Sequence, residues 1–297
     1  MKKMVFFVLV VLFAFVPLFS GPTWASDKLQ VIVSVLPQKF FVEKVGGDLV
    51  GAEVLIKPGV NPHTFEPKPA QMIAIAEAKG YFSLGLPFES ALLPKVEDMN
   101  SGLRVFDMSD GVFRYPMERS SSIHGHEGNG DHEGTLPKDP HVWNSPRNVN
   151  IMVRNIAGDL SMLDPANKDI YMSNCFSFLR EIDKLDYDLR EIFSGMEGTR
   201  FLVFHPAWGY FARDYGLVQI PVEVEGKEPK PADLENLVKT ARKYNIKAVL
   251  TSPQFSDRSA KILAGELGGK VLKIDPLAEN WLDNMKKVGS VIKAAAR

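Results

Sequence analysis

Imidazole is the side chain best suited to hold a transition-metal ion with nitrogen, and the six histidines of this 297-residue chain fall into two sets. His124, His126 and His132 lie in the stretch HGHEGNGDHE, among Gly125, Gly128, Gly130 and Gly134. So much glycine gives the tract no fixed shape, and ordering it around an ion costs backbone entropy. It suits weak, accessory gathering of metal. The other three sit singly in stiffer settings: His63 in KPGVNPHTFEP, His141 in KDPHVWNSP and His205 in FLVFHPAWGYF. Asp275, in VLKIDPL, shares their surroundings. Each has a proline beside it: Pro62, Pro140, Pro206 and Pro276. Proline fixes its own φ and restricts its predecessor, so these turns can hold ligand geometry in advance. Cys175 is the single cysteine. It excludes an internal disulfide and any thiolate cluster, leaving a site of nitrogen and oxygen.

The elements that must position these residues alternate along the chain. LQVIVSVLP (29–37), AEVLIKPG (52–59), YFSLGL and LRVFDMS read as strands in the first half, with a helical segment around Phe41 to Val45 and a helix over PAQMIAIAEAKG (69–80). TRFLVFH (199–205), LVQIPVEV (217–224), IKAVLTSP (246–253) and KVLKIDP (270–276) read as strands in the second, with helices over 231–245 and 278–296. Such alternation predicts an α/β fold: two lobes, each a parallel sheet flanked by helices. Between them, from Pro165 to Ser194, runs a segment without glycine or further proline. Cys175, Phe178, Leu179, Ile182, Leu185, Leu189 and Ile192 recur in it at spacings of three and four, the pattern of one long amphipathic helix. Asp164 is placed to cap its start, Pro165 to open it and Gly195 to end it. At 1.5 Å per residue it would be roughly 45 Å long, a rigid strut between the lobes. In an open parallel sheet ligands bind beyond the carboxyl ends of the strands. His63, His205 and Asp275 each follow a strand, and His141 stands where the polar loop ends. A lone histidine in such a place is ordinarily a hydrogen-bonded structural residue. Three with an aspartate, placed equivalently with two candidates in each half, favour a metal site over four structural residues.

The ends and the charge limit the remaining choices. Lys2 and Lys3, the apolar run from Met4 to Phe19 and the small residues before Ala25 have the layout of a secretory signal peptide covering 1–25. The domain reading is then 26–164 for the first lobe, 165–195 for the linking helix and 196–297 for the second lobe. Within the first, 114–138 is polar and glycine-rich and is expected to be a mobile loop. Removing Lys2 and Lys3 leaves 33 basic against 36 acidic residues. That balance calls for no nucleic-acid partner.

NPHTFEPKP, DPHVWNSP, FHPAWGYFARDYGL, EPKPADL, SPQFS and IDPLAENWLDNM occur in an order that resembles the zinc- and manganese-binding solute-binding proteins of ABC importers, across essentially the whole mature chain. The resemblance implies a single metal in the cleft between the lobes, with His63 and His141 as ligands from the first lobe and His205 and Asp275 from the second. It also implies periplasmic location, delivery to a membrane permease and a monomeric protein. The chain departs from common family patterns at Ser145 and Pro206, where aspartate is frequent, and at Ser252, where glutamate is. Those departures touch the groups that bond to the ligands rather than the ligand set. Three imidazoles favour Zn2+, whereas a site richer in carboxylate would favour Mn2+, the alternative within the family. A different class, a secreted zinc hydrolase, would need an open coordination position and a nearby general base. The chain has no H-E-x-x-H and no G-x-S-x-G, so the expected protein is a binding protein and not an enzyme.

Overall fold

The computed structural model describes residues 28–118, 137–224 and 226–296. The expected signal peptide and His124, His126 and His132 lie outside them. Among the described residues no helix is long and apolar enough to cross a membrane.

Two four-stranded sheets, every pairing parallel, form the frame. The first contains β1 (Leu29–Val33), β2 (Val50–Val54), β3 (Gly80–Ser83) and β4 (Arg104–Asp107) in the order β2-β1-β3-β4. The second contains β5 (Arg200–Val203), β6 (Val218–Pro221), β7 (Ala248–Thr251) and β8 (Lys270–Lys273) in the order β6-β5-β7-β8. In each sheet the connections turn opposite ways on either side of the first strand. That opens a crevice at the carboxyl ends. Helices α1 (Leu36–Gly46), α2 (Pro69–Glu77), α3 (Pro87–Met99) and α4 (Pro146–Leu163) accompany the first sheet. Helices α6 (Gly209–Asp214), α7 (Pro231–Lys243), α8 (Arg258–Glu266) and α9 (Trp281–Ala295) accompany the second. Prolines open α2, α3, α4 and α7, where a missing N–H costs nothing.

Between the lobes lies α5 (Lys168–Phe193), 26 residues or roughly 39 Å long. Its start differs from the sequence expectation. Pro165–Asn167 forms a separate 3-10 turn, because the Asp164 carboxylate accepts from the side chains of Asn167 and Tyr171, both at 2.7 Å, instead of capping backbone N–H groups. The end is as expected, with Gly195 at φ 73°, in the left-handed region that glycine reaches without steric cost. Tyr171, Cys175, Phe178, Leu179, Ile182, Leu185, Leu189 and Phe193 are buried along one stripe. This stripe packs on α1 and α4 of the first lobe and on α9 of the second. One continuous apolar cluster therefore runs from β1 through α5 to α9, while each sheet keeps a smaller core on its far face.

Residues Asp139 to Ser145 cross the lobe boundary more intimately than their place in the chain suggests. Tyr210 donates its hydroxyl to the Asp139 carbonyl at 3.0 Å, and the Trp143 indole donates to the Pro276 carbonyl at 2.7 Å. The Trp281 indole donates to the Trp143 carbonyl at 2.8 Å, and Asn144 donates to the Ala207 carbonyl at 2.9 Å. Ser145 caps α4 through Asn148 N–H and donates to the Asp214 carboxylate at 2.5 Å. Four of these five contacts involve fully or nearly fully buried groups of the second lobe. The lobes are bonded to each other at the centre, so large hinge opening would break buried hydrogen bonds.

Trp143→Phe keeps an aromatic six-membered ring but removes the pyrrole ring with its N–H donor, leaving the Pro276 carbonyl buried without it. The variant is expected to lose about 1–3 kcal/mol in urea unfolding. Fluorescence and circular dichroism should report one coincident transition for both lobes, as a shared core requires. Two separate transitions in the wild type would show that the lobes are energetically independent.

Candidate metal centre

Each of the three strand-end or loop-end histidines reaches the crevice by a different local device. His63 lies in a 3-10 turn, Pro62–Thr64, beyond β2, where the Asn61 side chain accepts from His63 N–H at 2.9 Å. Pro62 is buried and His63 keeps an exposed side. His141 is buried, two residues beyond Asp139, whose Oδ1 accepts from both the His141 backbone N–H at 2.9 Å and ring Nδ1 at 2.8 Å. His205 is buried two residues past β5, with Nδ1 3.0 Å from Glu223 Oε1. Its ring stacks on Phe255 at a centroid distance of 4.4 Å.

The three rings converge. His205 Nε2 lies 3.1 Å from His63 Nε2 and 3.2 Å from His141 Nε2. One nitrogen from each ring falls within 4.8 Å of the others, and among the described residues this is the one such group of three or more candidate ligands. The carboxylates fix the tautomers. Asp139 and Glu223 accept, so Nδ1 of His141 and His205 carries the hydrogen and each Nε2 presents a lone pair to the centre. A void of about 10 Å³ lies among the three rings, with Trp143, Gln254 and Phe255 in its wall. It opens toward a cleft of about 380 Å³ bordered by His63, His205, Glu223, Glu118 and Phe255. A larger groove of about 680 Å³ beside α2 and α3 touches the centre through His63 alone and is walled by Phe65, Phe88 and Leu92. The chemistry belongs to the smaller space, where the nitrogens meet.

Asp275 does not join the three imidazoles. Its Oδ1 accepts from Gln254 Nε2 at 2.8 Å and from Leu277 N–H at 2.9 Å, and Asn284 holds its carbonyl at 2.7 Å. His124, His126 and His132 lie outside the described residues. The two stems of their segment are described: Met117 N–H donates to the Pro137 carbonyl at 3.0 Å, and Glu118 accepts from Gln219 at 3.0 Å. Met117, Glu118 and Pro137 all border the cleft. Asp139, Glu223 and Gln254 escaped the sequence reading. Glu223 carried the signal already used for His205, since it too stands two residues beyond a strand, β6. Asp139 was legible as the acid of D-x-H, two residues ahead of an imidazole.

Burial, reinforced by the neighbouring imidazoles of His205 and His141, pushes the His63 pKa down to about 3. Burial likewise lowers that of His205, against the opposing pull of Glu223. Both rings are therefore neutral at neutral pH, the form that binds metal.

The chain matches, over residues 31–295, the model of a family described as zinc-uptake complex component A, periplasmic (ZnuA). It is 31% identical over 256 residues to the high-affinity zinc uptake system protein ZnuA of Bacillus subtilis, covering 85% of this chain and 79% of that one. A crystal structure of ZnuA superposes with a TM-score of 0.84 at 40% identity, covering 91% of this chain and 100% of the other. A ZnuA deletion mutant solved with zinc bound gives 0.82 at 40% identity, covering 91% and 98%.

The depressed histidines predict how acid acts on the metal-free protein. Above pH about 6.5 both folded and unfolded rings are neutral and contribute nothing. As pH falls below that value the unfolded chain takes up protons that the folded centre refuses, so stability declines toward the folded pKa values. The melting temperature should therefore fall as pH drops from about 6.5 to 4.5, and His63→Gln should flatten the fall. An identical slope in the variant would remove His63 as a source of the linkage.

Proposed function

The chain belongs to the zinc-uptake complex component A family, and on that premise we propose that it captures Zn2+ outside the cytoplasmic membrane and delivers it to the permease of an ABC importer. Proteins of this family are metal-binding solute-binding proteins, not enzymes. The observation that carries the reading is the convergence of three imidazole nitrogens, two of the rings backed by carboxylates. His63, His141 and His205 are the proposed ligands. A carboxylate behind a ligating imidazole orients the ring and raises its basicity.

Ligand type favours zinc over manganese. Manganese stands lowest among divalent first-row metals for nitrogen donors and is held best by carboxylate and carbonyl oxygen. Here the converging atoms are all nitrogens. The Bacillus subtilis relative is named for zinc uptake and a ZnuA deletion mutant was solved with zinc bound, whereas a more distant structural neighbour, 21% identical, was solved with manganese. The domain reading supports export: residues 1–25 as a cleaved signal peptide, 26–164 and 196–297 as lobes, 165–195 as the link, with action in the periplasm as a monomer. His124, His126 and His132 would gather metal weakly; Met117, Glu118 and Pro137, which flank their segment in the chain, border the cleft beside His63 and His205.

Delivery follows from the mechanics. His63 stands on an exposed turn, whereas His141 and His205 are buried on bonded supports. Loss of the His63 contact would loosen the ion without parting the lobes, and a docking permease that displaces the Pro62–Thr64 turn would release it.

Titration of purified mature protein against a chelating dye tests the ligands. His63→Ala, His141→Ala and His205→Ala should each weaken zinc by more than the roughly 10–100-fold that loss of an outlying partner costs. His124→Ala should leave the tight site nearly unchanged, and wild-type protein should bind zinc well ahead of manganese. Equal small losses across the set, or manganese bound more tightly than zinc, would overturn the assignment.

A further inference from the structure

Gln254 stands between the imidazole centre and Asp275, and its two amide arms are treated differently. The residue is 8% exposed and lies in the wall of the void among the three rings, which Asp275 does not line. Its Nε2 donates to Asp275 Oδ1 at 2.8 Å. Its Oε1 is buried without a hydrogen-bond partner. A buried amide oxygen left unpaired is costly, so such an atom marks a place where a ligand or ligand-bound group is meant to bond. Asp275 is meanwhile held on three sides, by Gln254, by Leu277 N–H and, at its carbonyl, by Asn284.

We propose that Gln254 is a specificity-determining residue of the centre: it restrains Asp275 outside the metal shell and offers Oε1 to the fourth position instead. This rests on His63, His141 and His205 being the ligands. The chemistry is consistent with the charges around the centre. Asp139 and Glu223 already place two carboxylates behind His141 and His205, so a divalent ion there is balanced without an acid in direct contact. A hydrogen-bearing neutral group, for which water is small enough, then completes the shell by donating to Gln254 Oε1. Keeping the carboxylate out keeps the site nitrogen-rich, which disfavours manganese more than zinc. Removing the Gln254 N–H should free Asp275 to turn inward and harden the site.

The test is competition titration with Zn2+ and Mn2+ on purified protein carrying Gln254→Met, which keeps the volume, and Gln254→Ala as a second variant in case one fails to fold. Asp275→Asn, which keeps an acceptor for Gln254 but loses the charge, is measured alone and in combination with each. His63→Ala reports separately on the three-histidine reading: if it leaves zinc binding intact, that reading fails regardless of Gln254. With the three histidines upheld, Asp275→Asn alone should cost zinc less than the roughly tenfold expected of a group that positions metal. Either Gln254 variant should raise manganese affinity relative to zinc by about tenfold or more, and Asp275→Asn should abolish that gain. A loss beyond tenfold from Asp275→Asn alone would make Asp275 a ligand in the native shell and overturn the proposal. So would an unchanged manganese-to-zinc ratio in the Gln254 variants, or a gain that persists without the Asp275 charge.

Discussion

Two imidazole lone pairs facing each other at about 3.2 Å repel, and the centre depends on holding them there. His141 and His205 each give their Nδ1 hydrogen to a carboxylate, so both Nε2 atoms point inward with nothing to share between them. Left free, either ring would rotate to relieve the contact. Asp139 and Glu223 prevent it, each through a bond that is buried on both sides. A cation placed among the nitrogens turns this repulsion into attraction, so the binding energy is not spent on gathering ligands.

Such an arrangement needs supports that do not yield, and the fold supplies them at the lobe boundary. His205 follows β5, one of the two inner strands of its sheet, flanked by β6 and β7. His141 has no strand beneath it. Its support is the run of buried bonds from Asp139 to Ser145 onto Tyr210, Pro276, Trp281, Ala207 and Asp214. Although His141 precedes the linking helix in the chain, it is mechanically part of the second lobe. The division of two candidate ligands per half, natural from the sequence, gives way among the converging imidazoles to a fixed pair, His141 and His205, and a separate third, His63. Modest local change around His63 is what such a pair permits, with α5 bracing both lobes through a shared apolar core.

The strands were legible because buried parallel strands are short apolar runs: six of the eight fall wholly inside the expected stretches, while β2 begins two residues and β3 one residue ahead of theirs. The helices were less so. α4 has no counterpart among the expected helices although Val149, Met152, Val153, Ile156, Ala157 and Leu160 repeat at helical spacing, because Asn148, Asn150, Asn155 and Gly158 lower its local helix propensity. α3 hides behind Pro94 in its interior, a residue that normally argues against a helix. α6 has a single turn and a half of local signal. In the site, types and prolines singled out the three histidines that converge. What no pattern in one chain could convey was the partnership across it: Glu223 reaches His205 over 18 positions and Trp143 reaches Pro276 over 133. These contacts are set by how two sheets face each other, which periodicity does not encode.

The placement of charge around the centre also bears on how the proposed three-imidazole site can do without an acid in direct contact. An acid in direct contact with a divalent ion strengthens binding, but it hardens the site and slows release by adding a strong electrostatic bond. Acids set behind the imidazoles act through the ring, giving orientation and charge balance while the contacting atoms stay neutral. Asp139 and Glu223 occupy that outer position on two of the three rings. Among the described residues no acid bonds to the His63 ring; its backbone is steadied by Asn61 and its side faces the cleft. Of the three proposed ligands, the one with the weakest support is thus the one nearest solvent. A carrier must let go of what it binds, and the order in which the three supports weaken, from His205 and His141 to His63, sets the order in which its grip can fail.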